Sequence, residues 1–153
     1  TSTTIVGIFK QREIIRMRAD FYYIPDDDTQ RFACRIAQKA FENQHQVYMH
    51  ADSDEDANDL NKLLWTFQQN SFVPHGLVGE HTDDLPPVQI GTSKPDHHQE
   101  VLINLSNKAP DFAKDFQRVI EIVSNNDNQA ETRKQHYQRA QFDIHEHDLR
   151  AKT

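Results

Sequence analysis

Many side chains in the sequence could act as catalysts or metal ligands, but none stands at the spacing of a catalytic motif. The acidic run at residues 52–56 lacks the glycine and the final glutamate of a calcium-binding loop. The histidine pairs His97/His98 and His145/His147 are joined by no further ligands at metal-site spacing, so solvated surface histidine is the favoured interpretation. No GxSxG and no HExxH motif occurs. These observations favour a binding module over an enzyme, and we expect no metal or cofactor.

Composition and charge exclude several further classes of protein. The 153 residues suit one domain, and the formal net charge is -7. Because nonspecific DNA binding depends largely on Lys and Arg that neutralise phosphates, this charge argues against DNA binding by the chain alone. The single cysteine, Cys34, excludes an internal disulfide and fits a reducing cytoplasm, and we expect a partly buried thiol. No apolar run approaches the ~20 residues of a membrane span.

Residues 65–80 concentrate aromatic residues, Pro and Gly in an otherwise polar chain. The helix predicted before them, over residues 52–67, has an apolar stripe made of Ala57, Leu60, Leu63, Leu64 and Phe67. At ~100° per residue, Trp65 projects well away from the middle of that stripe. Geometry leaves two interpretations open. Either the indole is exposed for a partner, or a neighbouring loop, most simply residues 71–77, covers it.

The last helix, predicted over residues 125–141, is nearly devoid of large aliphatic side chains. Ala130, Arg133, Lys134 and Tyr137 share one of its faces by their three- and four-residue spacing. Two cations beside an aromatic ring in an acidic protein suggest a docking face. The alternative is an ordinary solvated helix with Tyr137 packed on the sheet, and charge alone does not separate the two.

The elements that position these residues alternate between strand and helix. Strands are predicted at five short apolar or β-branched runs, residues 21–24, 46–49, 88–90, 100–105 and 119–123. Helices are predicted to end near residues 43, 67 and 141, with a short one beginning at Pro110, and residues 71–80 are predicted to be an irregular loop. A strand, helix and strand without a hairpin turn predict a right-handed parallel crossover. We therefore expect a three-layer α/β/α fold with a mostly parallel, Rossmann-like central sheet.

Domain boundaries follow from the same pattern. Residues 17–149 are predicted to form one domain, residues 1–16 an N-terminal extension or an expression remnant, and residues 150–153 a disordered tail. The weak alternation of residues 142–149 suggests that they cross a sheet edge. No glycine-rich turn follows the first two strands, so a GxGxxG or Walker A nucleotide site has no support in the sequence.

The ten residues 71–80, SFVPHGLVGE, follow shortly after Leu64-Trp65. This unit resembles the signature of the chi accessory subunit of the bacterial DNA polymerase III clamp loader, and a weaker resemblance runs from about Met17 to about Leu149. The resemblance implies a compact α/β fold without known catalytic activity and two protein contacts. One is with the psi subunit, whose surface a repair helicase can also use. The other is with the acidic C-terminal tail of single-stranded DNA-binding protein, which ends in Pro-Phe.

The resemblance also assigns residues to each contact. Trp65 and Phe72 match the psi-side surface, and we include their signature neighbours Val73 and Pro74. The tail contact involves a Val at the end of the last clear strand, which Val123 matches, together with basic and Tyr residues of the final helix. For these the resemblance offers three residues, Arg133, Lys134 and Tyr137, and leaves open which basic residue holds the tail.

The sequence therefore predicts a cytoplasmic, non-catalytic adaptor within the DNA polymerase III holoenzyme that contacts DNA only indirectly. It would link the clamp loader, through psi, to the tail of single-stranded DNA-binding protein. Two alternatives remain. One is a nucleotide-binding enzyme on a Rossmann-like sheet, and the other is a direct nucleic-acid binder, which would need a basic groove with stacked aromatic rings.

Overall fold

The computed structural model describes residues 17–69, 72–79 and 85–150. The predictions made for residues 1–16 and for residues 151–153 lie outside these ranges. Within them, no helix is both long enough and apolar enough to cross a bilayer.

The described residues contain a seven-stranded sheet in which every pairing is parallel. The strand order is β3-β4-β2-β5-β6-β1-β7. The strands are β1 (Arg18–Tyr23), β2 (Val47–His50), β3 (His75–Leu77), β4 (Val88–Gly91), β5 (Val101–Asn104), β6 (Arg118–Val123) and β7 (Asp143–Asp148). All four residues of β5 are buried, as the sequence predicted for a central strand covered on both faces.

Helices cover both faces of the sheet. On one face, α1 (Thr29–Glu42) and α2 (Asp54–Thr66) bury their apolar stripes against side chains such as Met49, Ile103 and Ile122. On the other face, a 3-10 helix (Asp111–Asp115) and α3 (Ala130–Arg139) pack over residues such as Phe21 and Leu102. The predicted three-layer α/β/α architecture with a parallel sheet is confirmed.

Local signals explain where α1 and α2 begin. The Asp28 carboxylate accepts a hydrogen bond from the Arg31 backbone N–H, and the Ser53 hydroxyl accepts one from that of Asp56. Three acidic residues in the first turn of α2 suit the positive end of its dipole. Cys34 of α1, whose thiol was expected to be partly buried, is fully buried, and burial raises its pKa to about 12.

The predicted crossing of a sheet edge by residues 142–149 is confirmed, since β7 pairs with β1 at the edge of the sheet. Two predictions about elements need correction. Residues 71–80 are not wholly irregular, because His75–Leu77 forms the short edge strand β3. The last helix begins at Ala130 instead of residue 125, because the Asp127 side chain accepts from the Gln129 backbone N–H and holds the preceding residues in a turn.

Candidate protein-binding surfaces

Two aromatic rings stand out on the surface beside α2. Trp65 is 56% exposed and Phe72 is 64% exposed, and their ring centroids lie 5.9 Å apart. We call this pair the indole patch. Of the two interpretations left open for Trp65, exposure is the one that the structure supports. Val78 and Leu85, in the same region of the chain, are exposed as well.

A buried histidine supports the indole from below. The ring centroid of His75 lies 4.7 Å from that of Trp65. Its Nδ1 is 2.6 Å from the Val73 carbonyl oxygen, and its Nε2 is 2.9 Å from the Asn61 carbonyl oxygen of α2. The imidazole is thereby fixed between α2 and β3, and it gives the indole a rigid base.

The other two residues predicted for this surface have different positions. Val73 is 1% exposed and packs in the core beneath α1 and α2. Pro74 is half-buried, and its carbonyl oxygen accepts a hydrogen bond from the Val88 N–H at 3.3 Å. The structure therefore brings Trp65 and Phe72 together at the surface, while Val73 and Pro74 anchor the segment that carries Phe72.

Three of the four residues predicted for the tail pocket are buried between α3 and the sheet. Val123 is 6% exposed, Arg133 is 3% exposed and Tyr137 is fully buried. The Tyr137 ring makes edge contacts with Phe21 and Phe142, at centroid distances of 5.9 and 5.2 Å. The shared face identified in the sequence thus exists, but most of it is turned toward the sheet, as in the alternative interpretation of this helix.

A buried carboxylate organises this face. Glu121 of β6 is fully buried and accepts hydrogen bonds from Arg133 Nε at 2.7 Å, Asn104 Nδ2 at 2.8 Å and the Tyr137 hydroxyl at 2.5 Å. Burial raises the pKa of Glu121, and the charge of Arg133 opposes that rise. Burial and the negative charge of Glu121 raise the pKa of Tyr137, so its hydroxyl stays a donor.

Arg133 is fully engaged by this network. Besides Glu121, it donates to the Asp127 carboxylate at 3.2 and 2.5 Å and to the Asn107 carbonyl oxygen at 3.4 Å. Burial lowers the pKa of Arg133, but the hydrogen bonds and charges of Asp127 and Glu121 outweigh it and keep the pKa raised. A partner could bind the Arg133 guanidinium only by displacing the carboxylates of Glu121 and Asp127.

Lys134 is the more accessible cation of the two. Its side chain is 18% exposed, and its Nζ lies 2.9 Å from Glu146 Oε2 on β7 and 3.9 Å from Glu131. Glu146 also accepts from the Tyr23 hydroxyl at 2.5 Å, and this bond and the one from Lys134 lower the pKa of the carboxyl group. A competing carboxylate could replace Glu146, which is half-exposed.

A polar cavity of about 210 Å³ lies beside this region, where β5 and β6 end and α3 begins. Asn104, Ser124, Gln129 and Arg133 are among its lining residues. The hydrogen-bond network of Glu121 around this cavity was not predicted from the sequence. The sequence contains one indication of this network. Glu121 is a charged residue inside the apolar run of β6, so it requires a cationic partner when buried, and Arg133 lies on the helix that follows.

The fold and its surface define an α/β domain of the doubly wound kind, which exposes an aromatic pair of the type that anchors protein interfaces. The chain belongs to the DNA polymerase III chi subunit family, since the family model described as "DNA polymerase III chi subunit, HolC" matches residues 17–146.

Three similar proteins are each named DNA polymerase III subunit chi. The one from Pseudomonas aeruginosa is 40% identical over 110 residues, covering 69% of this chain and 76% of the relative. The one from Haemophilus influenzae is 30% identical over 114 residues, with 71% and 79% covered. The one from Escherichia coli is 27% identical over 128 residues, with 78% and 87% covered.

Proposed function

We propose that this chain is a non-catalytic adaptor of the DNA polymerase III holoenzyme. One of its surfaces binds the psi subunit of the clamp loader, and another binds the acidic C-terminal tail of single-stranded DNA-binding protein. Membership of the chi family supports this role. The observation that carries it is the exposure of Trp65 and Phe72, which the core of the chain does not use.

The indole patch is the proposed docking site for psi, or for a repair helicase that uses the same surface. Burying an indole removes 150–250 Å² of surface. At ~25 cal/mol per Å², this contributes on the order of several kcal/mol to association. Because His75 holds Trp65 from below, little side-chain entropy is lost when a partner covers the ring.

The tail site is proposed at the outer side of α3, with Lys134 as the cation. An acidic tail ending in Phe requires a positive charge and an apolar wall. Lys134 supplies the charge by leaving Glu146. Val123 and Tyr137 are buried beneath α3, so they would form the apolar wall only if the tail opened the contact between α3 and the sheet, while Arg133 holds Tyr137's partner Glu121 in place. We expect an affinity on the order of micromolar that weakens with salt.

The psi contact is tested by replacing each ring of the indole patch separately. Trp65→Ala and Phe72→Ala should each weaken psi binding by about 2 kcal/mol or more, because central aromatic anchors dominate interfaces. Calorimetry with purified psi measures the loss, and Gln138→Ala, an exposed position of α3 on the other face of the sheet, is the control. Wild-type affinity in both ring variants would refute the surface assignment.

The tail contact is tested with a labelled peptide that copies the acidic Pro-Phe tail. Lys134→Ala should weaken its binding about tenfold, since one charge-assisted hydrogen bond is lost. Arg139→Ala removes an equal charge from the same helix and should leave the affinity close to the wild-type value. An equal loss in both variants would point to diffuse charge attraction and contradict a site at Lys134.

A further inference from the structure

A groove lies where β1, β5 and β6 begin, mainly on the face of the sheet that α1 covers, and the end of the 3-10 helix, with Lys114 and Asp115, also lines it. It has a volume of about 860 Å³ and runs between α1 and the first residues of these strands. We call it the amino-end groove. The indole patch and Lys134 contribute no residue to it. Lys134 belongs to α3, which packs on the opposite face of the sheet.

The floor of the groove is apolar. Tyr22 and Ile36 are half-buried and contribute to it, together with the buried side chain of Ile120. Contacts within the fold already occupy part of the Tyr22 ring, because His147 stacks on it at 4.5 Å and Phe32 packs against it at 5.6 Å. The groove can therefore take aliphatic side chains more readily than bases.

Two arginines at the edge of the groove share one buried carboxylate. Arg18 donates to Asp20 through Nε at 2.9 Å and Nη2 at 2.8 Å, and Arg118 donates through Nε at 3.0 Å. Both arginine side chains remain about two-fifths exposed, whereas Asp20 is fully buried. The two positive charges of Arg18 and Arg118 are thus only partly neutralised, because they share the single carboxylate of Asp20. His147 also contacts this carboxylate, at 2.8 Å.

Two lysines add to this charge. The lysine ion pairs of the described residues involve Lys94 and Lys134, so Lys39 and Lys114 of the groove have no carboxylate partner among those residues. The acidic side chains lining the groove are Glu100, which pairs with His45, and Asp115, which pairs with Lys94. In a chain of net charge -7, the groove is a local cationic surface.

We propose that the amino-end groove binds an acidic peptide segment of a partner protein, one that carries aliphatic side chains between its carboxylates. The cations on both sides take the carboxylates, and the floor takes the aliphatic groups. Single-stranded nucleic acid fits less well because the Tyr22 ring in the floor is already packed against His147 and Phe32. A second copy of the chain fits less well because it would bring like charges together.

Binding of a fluorescein-labelled peptide of Asp, Glu and Leu tests the proposal, measured by anisotropy. Replacing both lysines, as in Lys39→Glu with Lys114→Glu, should weaken binding at least about tenfold. Both side chains are exposed, so the fold should survive, and urea unfolding checks this. The control variant, Lys62→Glu with Lys108→Glu, makes the same change in net charge away from the groove and should bind like the wild-type chain.

Three further measurements separate the possible outcomes. The same peptide with Leu replaced by Ser should lose affinity, and the methyl resonances of Ile36 and Ile120 should shift on binding the Leu peptide. Lys134→Ala should leave the Ile36 and Ile120 shifts in place, which keeps this site distinct from the proposed tail site. Equal loss in the groove and control variants, or unmoved methyl resonances, would overturn the proposal. Tighter binding of oligothymidylate than of peptide at the groove, or self-association that the groove variant abolishes, would also overturn it.

Discussion

At the scale of single residues, the ion pair between Arg133 and Glu121 decides which cation of α3 a partner can reach. Glu121 comes from the centre of the sheet and is fully buried, so it requires a positive charge and hydrogen-bond donors within the fold. Arg133 supplies them and is thereby removed from the surface. Its neighbour Lys134, about 100° further around the helix, keeps a single, exchangeable bond to Glu146.

These different environments predict a large loss of stability when Arg133 is replaced and a small one when Lys134 is replaced. Arg133→Ala should lower the free energy of unfolding by about 3–5 kcal/mol, because Glu121 and Asp127 lose the partner of a buried pair. Lys134→Ala should change it by less than about 1 kcal/mol, as for a surface ion pair. Urea unfolding of both variants measures the difference, and equal destabilisation would contradict the assignment of Arg133 to the core.

A second residue-scale prediction concerns acid. His50 is 9% exposed and packs edge-on against Phe112, and its Nδ1 has no hydrogen-bond partner among the residues that the structure describes. Burial lowers its pKa below the ordinary value despite the nearby charge of Asp52. As the pH falls through about 6.5, His50 therefore becomes protonated in the unfolded chain while it stays neutral in the folded chain. Stability should be full above that pH and decline below it.

His50→Phe tests this with a ring that cannot titrate. The slope of the free energy of unfolding against pH should be smaller in the variant below pH about 6.5, and unchanged above it. Urea titrations at a series of pH values give both slopes. Identical slopes in His50→Phe and the wild-type chain would show that His50 does not contribute.

At the scale of elements, apolar periodicity was enough to predict the parts that are buried on a regular pattern. The stripe of α2 placed Leu60 and Leu64 inside and Trp65 outside, and the near-continuous apolar run of β5 identified a central strand. Elements without such a pattern gave weaker signals. β3 has three residues within a segment predicted to be a loop, whereas the weak alternation of residues 142–149 was enough to suggest the edge strand β7, whose side chains are mainly Asp, His and Glu.

The orientation of α3 shows why the tail site was harder to predict than the indole patch. Three- and four-residue spacing groups Arg133, Lys134 and Tyr137 on one face, but it does not say whether that face meets solvent or the sheet. Contacts with the sheet determine which way the face points. Tyr137 packs against Phe21 of β1, far from α3 along the chain, and Arg133 pairs with Glu121 of β6. Trp65 was easier because its own helix already had a complete core stripe.

An element-scale prediction follows from the contact between β4 and β2. A Cβ atom at Gly91 would lie 2.5 Å from Tyr48 Oη and 3.0 Å from Val78 Cγ2. The Tyr48 hydroxyl has little room to move, since it is buried and donates to the Ser93 carbonyl oxygen. Gly91→Ala should therefore destabilise the chain by about 1–3 kcal/mol, as overpacking does. At Gly79 an added Cβ would meet open space, but the φ of 93° means that Gly79→Ala costs stability through backbone strain alone. This variant should therefore leave the near-ultraviolet signal of Tyr48 unchanged.

At the scale of the whole molecule, the sheet separates the two proposed docking surfaces. The indole patch rests on β3 at one edge, and Lys134 pairs with β7 at the other. From β3 to β7 there are six inter-strand steps of ~4.8 Å, or about 29 Å along the sheet. Surfaces this far apart with no shared residue should act independently, so two partners can be held at once.

Simultaneous binding is the central property of an adaptor, and one titration tests it. The dissociation constant of the labelled Pro-Phe tail peptide is measured on the free chain and on the chain saturated with psi, at one salt concentration. Independent surfaces predict the same constant within about twofold, together with a ternary complex in sedimentation. Loss of tail binding when psi is bound would contradict the account, because the two partners would then compete for one surface.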